Sequence, residues 1–144
     1  VGDYKKLPNE VGGRDTALPE KVADKMKALL SEYNAKEEKA FEDILDFHVK
    51  FEKIHPFQDG NGRTGRIILF KECLKNGIVP FIIRDDRKVE YYHALNAAQT
   101  KGAYGALEQF FLDEQAEYKA LAEGFVVPIE RTSDRRRRDH DQER

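Results

Sequence analysis

HPFQDGNGRTGR, from His55 to Arg66, combines a histidine, a carboxylate, three glycines and two arginines within twelve residues. The glycines permit positive φ angles and a close approach of the backbone to a ligand, and the order Asp-Gly-Asn-Gly favours a tight turn. Where such a loop begins a helix, free N–H groups and the positive end of the helix dipole attract anions, phosphate above all. Arg63 and Arg66, three residues apart, add positive charge to the same helix face. The pattern therefore predicts a phosphate-binding loop.

Other interpretations of the glycine pattern are weaker. Gly60, Gly62 and Gly65 satisfy G-x-G-x-x-G, but a dinucleotide-binding fold needs a strand before the motif, whereas residues 41–54 have a helical pattern. The sequence lacks the companion motifs of protein kinases, P-loop proteins and HExxH metalloproteases. A plain helix connector would gain nothing from this pattern, because an interior Gly65 costs about 1 kcal/mol against Ala and the like charges of the two arginines repel each other.

The stretch resembles the signature of the Fic family, H-P-F-x-[D/E]-G-N-G-R-x-x-R, at every specified position, and the similarity extends from about Tyr4 to Phe111. The resemblance implies an all-α fold, a Fic-type helical bundle with a small β-hairpin "flap" near the N-terminus. It also implies a protein adenylyltransferase, which moves AMP from ATP to a Ser, Thr or Tyr hydroxyl of a target protein and releases pyrophosphate (AMPylation). Two alternatives remain: a Fic-fold enzyme that transfers another phosphate-containing group, and a nucleotide-binding module without turnover.

The same resemblance implies a role for each residue of the loop. His55 is the general base, and its ordinary pKa near 6.5 suits proton removal from a hydroxyl near neutral pH. Asp59 offers an oxygen ligand to Mg²⁺, which would bridge the phosphates of the ATP co-substrate. Arg63 and Arg66 hold the distal phosphates. The backbone amides that bind phosphate are those of Gly60, Asn61 and Gly62, with the Asn61 side chain also reaching a phosphate.

A later segment, YYHALNAAQ, resembles a family segment in which a tyrosine and a following amide line the adenine pocket. By position the tyrosine is Tyr91 or Tyr92, and the amide is Asn96 or Gln99. We take Tyr91 and Gln99 as the nucleotide-binding pair.

Apolar residues at helical spacing predict the first two helices of the bundle. The first begins at Pro19, a residue suited to the first helical turn, and ends near Asn34. The second runs over about residues 37–54. His48 lies on its apolar face, where we interpret it as structural support near the site.

The helix after the loop ends at Asn76 and Gly77, and because it is apolar nearly all round we expect it to be the central and most buried helix. Residues 79–83 are apolar but contain Pro80, which predicts a packed connector. Two further helices follow, one over about 105–123 and one over about 87–99 with Val89, Tyr92, Leu95 and Ala98 inward.

The first residues of the chain predict the flap. Residues 4–17 alternate loosely around Gly12-Gly13, a pattern typical of a hairpin, and strand addition to this flap would dock the target protein. The predicted Fic domain covers residues 1–127, with the flap at about 4–17 and the helical core at about 19–124. Residues 128–144 form a charged, arginine-rich tail that we expect to be disordered.

Composition limits the classes of function. The chain has 144 residues, a mass of 16.6 kDa and 40% hydrophobic residues, enough for one domain with a core. Its net charge of -2 makes nucleic acid an unlikely partner. One cysteine permits no internal disulfide, and no apolar run is long enough to span a membrane, so we expect a cytoplasmic protein.

Many Fic proteins carry an inhibitory helix, [S/T]-x-x-x-E-[G/N], whose glutamate pairs with the arginine at the position of Arg66. No full match occurs in this sequence: Thr16 to Glu20 lacks the final residue, and Glu123-Gly124 follows Lys119 in place of Ser or Thr. The resemblance thus leaves room for an inhibitory partner chain or an inhibitory segment that is missing from this sequence.

Overall fold

Five α-helices and one short hairpin make up residues 2–123, the part of the chain that the computed structural model describes. The hairpin pairs β1 (Glu10–Val11) with β2 (Arg14–Asp15), and a single 3₁₀ turn (Asp85–Arg87) precedes the fourth helix. The helices are α1 (Pro19–Asn34), α2 (Phe41–Ile54), α3 (Asn61–Lys75), α4 (Lys88–Lys101) and α5 (Gly105–Glu123). The predicted all-α fold with a hairpin before the first helix is confirmed. The predicted end of the core at residue 124 and the tail from 128 lie outside the described residues.

The hairpin is shorter than the predicted flap. Gly12 and Gly13 form its turn with φ angles of +58° and +74°, the left-handed pair that a two-residue hairpin requires. Only Glu10 with Asp15 and Val11 with Arg14 are paired across it. Residues 4–9 lie outside the strands, and several of them contact the loop after α2 instead.

Helix α1 has the predicted bounds, whereas α2 begins four residues later than expected. The delay has a local cause, because Asp43 reaches back and its carboxylate accepts a hydrogen bond from the Ala40 N–H at 2.9 Å. This bond fixes Ala40 as the N-cap, the Asp43 half of a capping box. The preceding residues from 37 onward form bends rather than helix.

Helix α2, not α3, is the central helix, so that prediction was wrong. α2 packs against α1, α3 and α4, and its buried residues contribute to both hydrophobic clusters of the described chain. α3 buries Leu69 and Cys73 but leaves Ile67 69% and Leu74 56% exposed. Hydrophobic composition alone did not reveal that α3 has neighbours on one side only.

The inward face of α4 also differs from the prediction. Val89 and Tyr92 are exposed, while Tyr91, Ala94, Leu95 and Ala98 are buried. Leu95 and Ala98 are therefore inward as predicted, whereas in the first half of α4 the buried positions shift by one residue, from Tyr92 to Tyr91, a rotation of about 100°. The connector is packed as predicted, with Phe81 and Ile83 buried against the core.

A polar pair lies inside this core. His48 on α2 and Tyr91 on α4 are both almost completely buried and share a hydrogen bond of 2.6 Å between Nε2 and the phenol oxygen. Burial lowers the pKa of His48 to about 4, so the imidazole is neutral at pH 7. The predicted structural role of His48 fits this placement. None of the helices among residues 2–123 has both the length and the apolar character to cross a bilayer.

The buried histidine predicts a loss of stability in mild acid. The unfolded chain protonates His48 near its ordinary pKa of 6.5 and the folded chain only near 4, so protons favour unfolding between these values. The titration of His48 therefore has little effect on the free energy of unfolding above pH 6.5. Between pH 7 and pH 5 it lowers that free energy by about 2 kcal/mol. Urea titrations should show that wild type loses this much more than the double variant His48→Leu/Tyr91→Phe, which lacks both polar partners. Equal losses of unfolding free energy in the two proteins would contradict the lowered pKa of His48.

Candidate active site

His55 sits where α2 ends and the chain turns toward α3. Its backbone is left-handed, with φ 51° and ψ 64°, and its N–H donates to the Phe51 carbonyl at 3.0 Å. Among the described residues it is the one non-glycine with positive φ, a conformation of higher energy for a residue with a Cβ. Pro56 follows and is fully buried, and a proline there prevents α2 from continuing. The imidazole is thus fixed at the mouth of the loop.

The His55 imidazole is half-buried, and its Nδ1 has no hydrogen-bond partner within the protein. Its pKa is lowered, first because burial penalises the imidazolium and then because the positive charge of Lys5 is near. A histidine with a lowered pKa stays neutral at pH 7 and is able to accept a proton.

The Asn61 side chain closes the loop. Its Oδ1 accepts from the Phe57 N–H and its Nδ2 donates to the Phe57 carbonyl, both at 2.7 Å. The sequence predicted that this side chain reaches a phosphate. Because the residue is buried and both ends of its amide are engaged, the side chain is not placed to do so. The group of Asn61 that remains free to bind an anion is its backbone N–H, at the first position of α3.

The N-terminus of α3 has backbone donors without intrahelical acceptors. The first four N–H groups of a helix lack such an acceptor, and these belong here to the N-cap Gly60 and to Asn61, Gly62 and Arg63. The Gly60 N–H, also predicted to bind phosphate, donates to Asp59 Oδ1 at 2.8 Å instead. The amide site is therefore shifted one residue along the chain from the prediction.

Both arginines fold back toward this terminus. A Cβ added to Gly60 would lie 3.3 Å from Arg63 Nη2, and one added to Gly62 would lie 2.9 Å from Arg66 Nη1. The two glycines thus provide the space in which the guanidinium groups rest. Among residues 2–123 no carboxylate lies within 4 Å of Arg66, and Arg63 has only Asp59 at 3.9 Å. Two positive charges with weak or no partners therefore reinforce the positive end of α3.

Asp59 fits the kind of site that Mg²⁺ uses with nucleotides. Its side chain is 96% exposed; Oδ1 accepts from the Gly60 N–H, and Oδ2 has only the loose contact with Arg63 Nη2 at 3.9 Å. No cluster of three or more metal-ligating side chains exists in the described part of the chain. Mg²⁺ bound with a nucleotide needs few protein ligands, since water and phosphate oxygens complete its shell. An exposed carboxylate with one weakly paired oxygen is compatible with that arrangement.

A cavity of about 740 Å³ opens between the hairpin, α2 and α4. Of the predicted adenine-pocket residues, Tyr92, Asn96 and Gln99 line it. Tyr91 does not: it is 1% exposed and bonded to His48, so its assignment to the nucleotide site has to be replaced by Tyr92, which is 48% exposed. The cause is the same one-residue rotation of α4.

Glu52 is a residue of this cavity that the sequence did not indicate. Its Oε1 is buried without a hydrogen-bond partner, as is Oδ1 of Asn96 in the same cavity. Burial raises the pKa of Glu52 to about 7, although the charge of Arg66 opposes the shift. A side chain at Gly65 would overlap the Glu52 carboxylate, so Gly65 is required for the close packing of α3 on α2.

The N-terminal segment secures the loop from outside. The Gln58 side chain accepts from the backbone N–H groups of Lys6 (3.2 Å) and Leu7 (3.1 Å), and Asn9 Nδ2 donates to the Phe57 carbonyl at 3.0 Å. The sequence assigned no role to Gln58. No local pattern could have revealed these contacts, because they join residues about fifty positions apart.

Comparison with known proteins agrees with this geometry. The Fic/DOC family model matches residues 2–73, half of the chain. The chain belongs to the Fic/DOC family. The residues matched include the hairpin, α1, α2, the loop and most of α3.

Two relatives of the Fic chain are named as adenylyltransferases. A probable protein adenylyltransferase of Aquifex aeolicus is 39% identical over 77 residues, 54% of this chain and 23% of that protein. Protein adenylyltransferase Fic of Aedes aegypti is 31% identical over 100 residues, 67% of this chain and 20% of that protein. This Fic chain therefore spans about a fifth of the length of these relatives.

The fold has solved counterparts in the family. A Fic domain containing signaling protein from Bacteroides thetaiotaomicron superposes with a TM-score of 0.73 and 25% identity. The match covers 85% of this chain and 54% of that one. The Fic-type bundle with its hairpin is thus the fold of this chain.

The buried Glu52 carboxyl predicts a pH-dependent effect of its replacement. The folded chain holds this proton up to about pH 7 and the unfolded chain only to about 4.5, so Glu52 favours folding at low pH and this contribution is lost as pH rises. Relative to Glu52→Gln, wild type should lose about 2 kcal/mol of unfolding free energy between pH 5 and pH 8 in urea titrations. Glu42→Gln, an exposed site on the same helix, is the matched control and should show no such difference.

Proposed function

We propose that this Fic domain is the nucleotide-binding and catalytic part of a protein adenylyltransferase that moves AMP from ATP to a hydroxyl of a target protein. The observation that carries the proposal is the junction of α2 and α3. At this junction a neutral histidine precedes a helix N-terminus with free amides and two arginines. Glu52, whose carboxylate packs on Gly65 of α3, also lines the cavity that has Tyr92 on its wall. The names of the relatives support the same activity.

In the proposed reaction His55 removes the proton from the target hydroxyl. The hydroxyl oxygen forms a bond to the α-phosphorus of ATP, and the bond from that phosphorus to the bridging oxygen of the β-phosphate breaks. Pyrophosphate leaves with the electron pair of the broken bond. The lowered pKa of His55 keeps it unprotonated at pH 7, the state that a general base needs.

The phosphates are proposed to lie over the start of α3. The N–H groups of Asn61 and Gly62 and the positive end of the helix dipole suit the α- and β-phosphates. Arg63 and Arg66, folded back along the same turn, supply forked donors for the distal oxygens. Since these donors are in position before ATP arrives, they stabilise the developing negative charge with little rearrangement.

Asp59 would hold Mg²⁺ at these phosphates, and the ion would neutralise negative charge on the leaving pyrophosphate. The adenine is proposed to enter the 740 Å³ cavity against the Tyr92 ring, with the Gln99 amide available for a polar contact. A cytoplasmic site of action remains part of the proposal.

The target protein is proposed to dock on the hairpin. A two-stranded hairpin has unpaired backbone groups along its outer edges, and an extended segment of the target is able to pair with them. An inhibitory partner or inhibitory segment, if the whole protein has one, would place its glutamate at Arg66. Within residues 2–123 that guanidinium has no carboxylate partner.

Transfer from labelled ATP tests the activity. We expect label from the α-phosphate, and none from the γ-phosphate, to appear on a protein of a target lysate. His55→Ala should reduce the transfer by about 10²- to 10⁴-fold while ATP binding is retained. His93→Ala, an exposed histidine on α4, is the matched control and should transfer at the wild-type rate.

Other results would decide between the alternatives. Transfer of the γ-label alone would overturn AMP transfer. Absence of both labels, with ATP bound, would favour another phosphate-containing donor or a binding module without turnover. A His55→Ala variant that still transfers at the wild-type rate would remove His55 from the role of base.

The position of the adenine is tested by replacing two exposed residues of α4, one of which lines the cavity. Stacking of a base on an aromatic ring is worth about 1–3 kcal/mol, so Tyr92→Ala should weaken ATP binding about tenfold in calorimetry. Val89→Ala, which truncates another exposed residue of α4 that does not line the cavity, should leave the affinity unchanged. Equal affinities in both variants would place the base elsewhere.

A further inference from the structure

Lys5 donates hydrogen bonds to the carbonyl groups of the two residues on either side of His55. Its backbone N–H donates to the Pro56 carbonyl at 2.8 Å, and its Nζ donates to the Ile54 carbonyl at 3.4 Å. Ile54 and Pro56 are the residues immediately before and after His55. One residue, fifty positions away in sequence, therefore brackets the left-handed turn that carries the histidine.

The Lys5 side chain is enclosed in a way that is rare for lysine. It is 4% exposed, and its Nζ also donates to Asn9 Oδ1 at 2.7 Å and to Thr16 Oγ1 at 2.8 Å. The three donors of the ammonium thus have three acceptors, all of them neutral oxygens. Among residues 2–123 no carboxylate lies within 4 Å of Lys5, so no neighbouring negative charge cancels its field. Burial of an ammonium costs free energy, and here hydrogen bonds to neutral oxygens offset that cost without an opposite charge.

We propose that Lys5 is the positioning residue of His55: it holds the turn at His55, ties it to the hairpin through Thr16, and places a positive charge behind the imidazole. The inference rests on the proposed function in that it takes His55 as the general base. Because Thr16 directly follows β2, the same ammonium links the hairpin, where the target is proposed to dock, to the residue that accepts the proton.

The positive charge of Lys5 affects the protonation of His55 because like charges repel each other. A cation near the imidazole opposes its protonation, and the pKa of His55 is lowered by burial first and by Lys5 second. Of the charged groups on the elements around the loop, Lys5 is the one that contributes to this shift. The others are Glu52 and Lys53 on α2, Asp59 in the loop, and Arg63 and Arg66 on α3.

The neighbouring lysine provides a matched control. Lys6 carries the same charge, but its side chain is exposed, and it contacts the loop only through its backbone N–H to Gln58. Lys5→Met and Lys6→Met therefore remove the same charge from adjacent positions. Lys5→Arg keeps the charge at position 5, and Lys5→Gln keeps N–H donors without the charge.

The decisive measurement is the NMR titration of the His55 imidazole in the protein without nucleotide. We expect Lys5→Met to raise the pKa of His55 by about 0.5 to 1 unit, and Lys6→Met and Lys5→Arg to leave it near the wild-type value. If Lys5→Met does not fold by circular dichroism, Lys5→Gln takes its place with the same expected rise. A His55 pKa in Lys5→Met and Lys5→Gln equal to that in wild type would overturn the proposal.

The pH profile of AMP transfer gives a second readout. A rise in the His55 pKa moves the acid limb of kcat to higher pH, so Lys5→Met should lose roughly threefold more rate at pH 6 than at pH 8. A support that only stabilises the fold would lower the rate equally at both pH values, which would also overturn the proposal. If wild type transfers no AMP, the proposed function fails, and the titration alone then decides the role of Lys5.

Discussion

The paired hydrogen bonds between the Asn61 side chain and the Phe57 backbone are the constraint on which the site depends. They close the chain between α2 and α3 over six residues, 55–60. Because Asn61 is also the first residue of α3, the bonds that close the loop fix the helix N-terminus relative to His55. Loss of this side chain would leave the Phe57 N–H without a partner and its carbonyl with the Asn9 amide alone, and would free the anion site to move.

Electrostatics around the loop follow from what is buried. His48 is neutral because burial lowers its pKa to about 4, and the Glu52 carboxyl is only partly ionised at pH 7 because burial raises its pKa to about 7. The two shifts oppose each other in their effect on stability below pH 7. The negative charge that Glu52 places behind α3 is therefore smaller than that of an ordinary carboxylate. The positive charges of Lys5, Arg63 and Arg66 and the helix dipole are left to set the potential of the site.

The sequence predicted those parts of the structure that depend on local chemistry. Glycines with arginines at fixed spacing indicated a loop that begins a helix, Pro19 fixed the start of α1, and Gly12-Gly13 indicated the hairpin turn. Errors arose where tertiary contacts decide. Leu95 and Ala98 of α4 are inward as predicted, but Tyr91 rather than Tyr92 is buried, because the bond of Tyr91 to His48 lies across the core. Lys5 could not be recognised at all, since in sequence it is the first of two adjacent lysines and only the fold distinguishes them.

The two halves of the proposed site differ in how firmly the fold holds them. On the nucleotide side, the amides, arginines and cavity are held by helices and by a closed loop before any ligand binds. On the acceptor side, the hairpin has two residues in each strand, all of them exposed, and a hairpin of this size is marginally stable by itself. Its link to the rigid half is through Lys5, Asn9 and Thr16. A target segment that adds a strand would therefore complete the hairpin and, through Lys5, act directly on the turn that carries His55.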